Sequence, residues 1–196
     1  MTSEELFYQK KPAFDRLDAE KVQQYAEGYK LFLDRGKTER DAVNTIVNIA
    51  HEAGFQPYKR GMELKPGDRI YRINREKAVI LAVIGQESLQ NGIALTAAHL
   101  DAPRIDIRTV PLYEQDGMAF FKTHYYGGIK KYQWTAIPLE LRGVVCVVRD
   151  GKMLKFRVDI GSDPEDPKFV ITDLLPHLAS KQMQEKMVDG IKAENM

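Results

Sequence analysis

Two apolar runs lie close together in the middle of the chain, residues 78–85 (AVILAVIG) and 93–98 (IALTAA). In each, both odd and even positions are apolar, so a strand built from either would need cover on both faces. Amphipathic helices can supply such cover, and two precede the runs. Over residues 19–33, Val22, Tyr25, Ala26, Tyr29 and Leu33 recur at three- and four-residue steps, and Gly36 stops the pattern. A second helix is expected after Thr38, a good N-cap residue, with Glu39 and Asp41 in its positive first turn. Ala42, Val43, Ile46, Ile49, Ala50 and Ala53 share one face of it, and Gly54 stands at its C′ position. Buried strands behind amphipathic helices predict an α/β layered domain.

Composition narrows the partners. With 196 residues, 43% of them hydrophobic, the chain can bury the core of one compact domain, or of a domain plus a subdomain. The 29 basic and 28 acidic residues leave a net charge of +1. No long run of one sign occurs, so neither a nucleic-acid groove nor a membrane-surface patch is expected. No segment approaches the roughly 20 apolar residues of a membrane span. Residues 1–10 hold no apolar core of a secretory signal, and a cytoplasmic location is expected. The single cysteine, Cys146, sits in the apolar run 144–148 (VVCVV), which predicts a buried, inert thiol rather than a nucleophile.

Residues 1–18, with Pro12, read as an irregular arm. Residues 65–68 (KPGD) read as a turn, 69–74 as a short strand and 86–92 as a loop. The chain then looks less regular beyond Arg104, with a permissive backbone point at Gly127-Gly128. Residues 135–148 and 153–160 are β-rich, and Asp150-Gly151 between them is a strong hairpin signal. A polar loop at 161–167 and a helix over 171–187 complete the expected elements.

Chemistry concentrates where the second apolar run ends, at His99-Leu100-Asp101. Open α/β sheets bind ligands beyond the carboxyl ends of their strands. His99 could ligate a metal through one ring nitrogen, and a carboxylate two residues on could accept the other ring N–H and fix its tautomer. An ordinary polar turn at a strand end accounts for the same spacing, and the spacing alone leaves both readings open. The other histidines carry structural readings. His124 stands beside Tyr125 and Tyr126, His177 follows Pro176 at an expected helix start, and His51 suits the negative end of the second helix. Lys130-Lys131, Asp106 and Asp116 read as solvated charges, and Tyr132 and Trp134 as packing groups.

The wider segment around His99 adds to this. His99-Leu100-Asp101-Ala102-Pro103, Tyr126-Gly127-Gly128 followed by Trp134, Pro138-Leu139-Glu140-Leu141-Arg142-Gly143, and Leu175-Pro176-His177-Leu178-Ala179 occur in this order. Together they resemble the aspartyl aminopeptidase family of two-metal aminopeptidases, and His124-Tyr125-Tyr126-Gly127-Gly128 through Trp134 is most similar to its bacterial branch. The resemblance covers about residues 80–182.

That resemblance implies an exopeptidase removing N-terminal residues, often acidic, from peptides with two divalent ions, most simply zinc. It implies that His99 is a metal ligand and Asp101 the carboxylate that orients it. It also implies a partial layered α/β/α metallopeptidase domain over residues 1–134. Residues 135–196 would begin an inserted β-rich domain through which copies dimerise and assemble further. Three departures stand out. The family's bridging Asp, its paired Glu residues, a further Asp and a last His would all lie beyond Met196, so this chain alone is expected to be inactive. Ala102 replaces a Ser, and Lys181 stands where some members place a second His that reaches a neighbouring subunit. Two alternatives stay open: a non-catalytic assembly module from a truncated peptidase, and a related two-metal hydrolase acting on something other than peptides.

Overall fold

The computed structural model of the protein describes residues 12–196. The remainder of the expected N-terminal arm, residues 1–11, lies outside the described residues; Pro12 is followed by one 3-10 turn, Ala13–Arg16. The chain forms two compact units that meet in sequence between Leu100 and Asp101.

The first unit begins with helix α1 (Ala19–Arg35), capped by Asp18, whose Oδ1 accepts from Glu20 N–H at 2.9 Å. Helix α2 (Glu39–Glu52) follows, with Thr38 Oγ1 accepting from Asp41 N–H at 3.2 Å. Both helices start and stop where their cap chemistry predicts, and Gly54 has the left-handed φ of +80° expected after α2. Their faces differ from the expectation. Ala42, Val43 and Ala50 of α2 are buried, but Ile49 is largely exposed. In α1 only Val22, Ala26 and Phe32 are half-buried, while Tyr25, Tyr29 and Leu33 face solvent. Thr45 is buried with its hydroxyl satisfied, donating to the Asp41 carbonyl at 2.8 Å.

Helix α2 packs on a three-stranded sheet ordered β1 (Gln56–Pro57), β2 (Arg69–Asn74), β3 (Ala78–Val83). β1 runs parallel to β2, and β2 antiparallel to β3 from Arg69↔Val83 to Asn74↔Ala78. The core lies where α2 meets Ile70 and Tyr71. The turn at residues 65–68 holds as expected, closed by Asp68 N–H to the Lys65 carbonyl at 3.0 Å. Two expectations fail here. β3 is an edge strand rather than a central one, with Ile80 70% exposed. Residues 93–98 form no strand, and no described strand pairs with them. An apolar run adopts a ladder only when a neighbouring backbone supplies its hydrogen bonds, and none does.

The second unit is built on two hairpins. β4 (Arg104–Gln115) pairs with β5 (Met118–Tyr126), a region read from sequence as irregular. The register is regular from Arg104↔Tyr126 to Ile107↔Thr123, breaks, and resumes at Leu112↔Phe121. Pro111 falls in the break; it has no N–H to contribute to a ladder. β6 (Leu141–Arg149) and β7 (Lys152–Ile160) form the expected hairpin, closing at Arg149↔Lys152. Asp150 and Gly151 turn it with φ of +52° and +71°. Cys146 is exposed on β6, against the expectation of a buried thiol, because β6 and β7 pair only with each other and no described element covers both faces.

The helix expected over 171–187 is replaced by isolated turns and one 3-10 turn, Gln182–Gln184. Its start is held extended. Ala136 N–H donates to the Ile171 carbonyl at 2.8 Å, and Leu139 and Phe169 exchange backbone hydrogen bonds at 2.8 and 3.1 Å. Pro176 then lacks the N–H a continuing helix would need. Ala179, Ile191 and Met196 are the buried apolar residues of this unit. No helix among the described residues is long and apolar enough to cross a membrane. The architecture is mixed α/β, as expected.

Candidate functional site

The β4–β5 hairpin determines which of the chemically suggestive residues meet. Asp101 and Pro103 immediately precede β4, and Tyr126 and Gly127 end β5, so antiparallel pairing brings two distant segments to one place. Tyr126 Oη donates to Asp101 Oδ2 at 3.0 Å. The Arg104 guanidinium lies over the Tyr126 ring, 4.1 Å from its centroid, within cation–π range. Arg104 Nε donates to Asp106 Oδ1 at 2.8 Å; Asp106, read from sequence as a solvated charge, has its side chain 44% exposed. Gly127 turns the chain with φ +79°, a conformation that disfavours any side chain, and its backbone packs beside Pro103.

His99 is exposed and lies outside any helix or strand. His124 is on β5 in register opposite Asp106, its ring stacked on Tyr125 at 5.7 Å. His51 Nε2 lies 2.7 Å from the hydroxyl of buried Tyr71, a structural tie between α2 and β2. His177 is exposed in the turns before Ala179. Lys181 lines a cleft of about 410 Å³ in the C-terminal turns, together with Asp173, Gln182 and Glu185; the cleft includes none of the residues around Asp101.

No group of three or more His, Cys, Asp or Glu side chains that could hold a metal occurs among the described residues. A catalytic zinc ordinarily takes three protein ligands. The residues described here therefore do not fit a complete metal centre, and no chemical step is derived through one.

A separate polar cluster sits at the end of the β6–β7 hairpin. Ser162 Oγ lies 2.6 Å from Asp159 Oδ1 and 2.8 Å from Glu140 Oε2. Arg142 Nε is 2.9 Å from Glu140 Oε1 and 3.5 Å from Asp159 Oδ1. The Ser162 hydrogen bond, with the charges of Arg142 and Arg157, holds the Asp159 carboxyl below its ordinary range against a smaller opposing effect of burial. These contacts brace the hairpin to the 161–167 loop.

Sequence reasoning treated Tyr126 as part of a motif and gave Arg104 no role. The available signal was the Asp116-Gly117 pair, which turns β4 into β5 as Asp150-Gly151 turns β6 into β7. Reading that turn as a regular hairpin would have set Arg104 opposite Ile129; the register shift between Ile107 and Leu112 sets it opposite Tyr126 instead.

Comparison with known proteins identifies the family. A family model described as aminopeptidase I zinc metalloprotease (M18) matches residues 32–195. The chain is 39% identical over 199 residues to a probable M18 family aminopeptidase 1 of Clostridium acetobutylicum, covering 98% of this chain and 42% of that relative. It is 41% identical over 177 residues to its counterpart in Thermotoga maritima, covering 90% of this chain and 38% of that relative. The crystal structure of the M18 family aminopeptidase from Thermotoga maritima superposes with a TM-score of 0.84 at 38% identity, covering 96% of this chain and 41% of that one. The chain thus spans only about two fifths of the length of the relatives it matches. Over that span, motif order, fold and sequence identity agree: the chain belongs to the M18 family of zinc metallo-aminopeptidases.

Proposed function

We propose that the intact protein is a metal-dependent aminopeptidase that removes N-terminal residues from peptides, acidic ones among them, and that this chain contributes His99 and Asp101 to its site. In this reading His99 is one ligand to one of two divalent ions, and Asp101 accepts its other ring N–H. The observation that carries it is the hydrogen bond from Tyr126 to Asp101, which joins the two motif segments quoted above. The remaining ligands and the general base come from outside these 196 residues, so the chain alone is inactive. Residues 1–134 then belong to the catalytic domain. Residues 135–196 open a β-rich insert through which copies of the protein associate. A cytoplasmic location goes with the same reading, supported by the single cysteine.

A chimera tests the proposal. This chain replaces the matching two fifths of the Thermotoga maritima aminopeptidase, and the product is assayed on peptides beginning with Asp, Glu or Leu, with zinc, manganese or cobalt. Metal-dependent release of the first residue is expected, lost in His99→Ala. A chimera that folds and assembles but turns over equally well with His99→Ala would sink the assignment. A second reading, a non-catalytic assembly module, is favoured by one observation: the described residues gather no three metal donors. It would prevail if the properly assembled chimera were inactive with every metal.

A further inference from the structure

Asn91 is the one asparagine of the chain that precedes a glycine. Asn44 and Asn48 lie inside α2, Asn74 stands before Arg75, and Asn195 before Met196. Asn91 ends a single 3-10 turn, Leu89–Asn91, and both it and Gly92 are exposed. Gly92 has φ +109° and ψ 178°, a conformation open in practice only to glycine, so the turn itself requires this dipeptide's second residue. Space is open where a side chain on Gly92 would project. The turn is lightly held. Asn91 N–H donates to the Ser88 carbonyl at 2.9 Å and Gly92 N–H to the Leu89 carbonyl at 3.1 Å. Ser88 Oγ accepts from Gln90 N–H at 3.2 Å, and Asn91 Nδ2 donates to Glu87 Oε2 at 3.2 Å. Exposed bonds of one isolated turn open at little cost in free energy.

We propose that Asn91 is a site of spontaneous deamidation, the backbone nitrogen of Gly92 displacing the side-chain amide. When the turn opens, Gly92 N–H leaves the Leu89 carbonyl and its nitrogen is free to reach Asn91 Cγ. The N–Cγ bond forms, the Cγ–Nδ2 bond breaks, and Nδ2 departs as ammonia with the proton from Gly92. A five-membered succinimide remains, and water adds to one of its two carbonyls. Opening at Cγ leaves aspartate in a normal backbone. Opening at the backbone carbonyl leaves isoaspartate, with the chain routed through Cγ. The sum is hydrolysis of one amide, with no change of oxidation state. Glycine favours the step because no Cβ stands beside the attacking nitrogen. Asn44 and Asn48 lack the path, since the N–H groups that follow them belong to the helical ladder of α2. The product replaces a donor to Glu87 with a negative charge, and adds one acidic residue to a chain whose net charge is +1. Like charges so close repel, so conversion should hold the turn open. The change falls in the loop that leads into residues 93–98 and His99.

The test incubates the 196-residue chain in mildly alkaline buffer, with and without guanidinium chloride, and follows it by isoelectric focusing and peptide mapping. In the folded chain an acidic form should accumulate. Mapping should place it at Asn91 as aspartate and isoaspartate together, ahead of any change at Asn44, Asn48, Asn74 or Asn195. The denatured chain should convert faster, because its turn is always open. Asn91→Gln, whose longer side chain would have to close a six-membered ring, should produce no such form. Ser88→Ala, which removes the acceptor for Gln90 N–H, should convert faster than the unaltered chain while still folded. Conversion in denaturant with none in the folded chain would overturn the proposal, since the fold would then protect Asn91. An acidic form that persists in Asn91→Gln would overturn it too, as would aspartate at residue 91 without isoaspartate, the mark of direct attack by water.

Discussion

Val43 is fully enclosed between α2 and the sheet, with none of its surface exposed. Truncation there removes two methyl groups from a tightly packed position, and Val43→Ala should cost about 2 kcal/mol in urea denaturation. The Thr38 hydroxyl makes two hydrogen bonds at a helix end, accepting from Asp41 N–H and donating to Asp41 Oδ2, so Thr38→Ala should cost about 1 kcal/mol and leave the rest of the unit's amide spectrum in place. Asp159 offers a pH-dependent residue. Its folded pKa lies below the unfolded value, so its contribution to stability is present above about pH 4 and disappears as pH falls through the folded pKa. With the side chain 32% exposed, solvent screening keeps that contribution small. Ser162→Ala removes the largest cause of the shift, so the Asp159 carboxyl resonance should titrate at higher pH than in the unaltered protein.

At the scale of elements, turn chemistry decides the two hairpins. Asp116-Gly117 and Asp150-Gly151 all have φ between +52° and +76°, the twist that suits a two-residue hairpin connection. Gly151→Ala should destabilise its hairpin by about 1 kcal/mol, read as faster hydrogen exchange along β6 and β7. The same dipeptide was legible from sequence at residues 150–151 and passed over at 116–117. The difference lies in the flanks: 144–148 and 154–160 alternate or run apolar, whereas β4 carries Pro111 and a register break that obscures the strand pattern. Helices α1 and α2 were legible because their apolar spacing is local and because Gly36, Thr38 and Gly54 act on the nearest turn of backbone; the Asp18 cap was not read from sequence. The segment at 171–187 was not, since its periodicity suits a helix while its first residues are held extended against residues 136–139.

On the whole molecule, apolar surface is the dominant property. In the first unit Ile80, Ile93 and Leu95 are 68–77% exposed; in the second, Val148, Met153 and Phe156 are 52–77% exposed. The sheet edge at β3 and both edges of the β6–β7 hairpin have no described strand beside them. Apolar faces and open edges of this kind drive association. The isolated chain should therefore bind a hydrophobic dye and self-associate by light scattering, and a monomer with neither property would show that these faces are covered.

Local chemistry was readable from residues alone: where α1 and α2 lie, that Asp150-Gly151 reverses the chain, and the family resemblance that the family match bears out. Each of these is decided by groups a few residues apart, acting through backbone torsions and cap hydrogen bonds. Tertiary structure alone decided that 78–83 stands at a sheet edge, that 93–98 stays unpaired, that Cys146 is exposed and that Tyr126 reaches Asp101. A strand, a buried face and a positioned carboxylate are each completed by a partner far away in the chain, and a local pattern can state the need for that partner without supplying it.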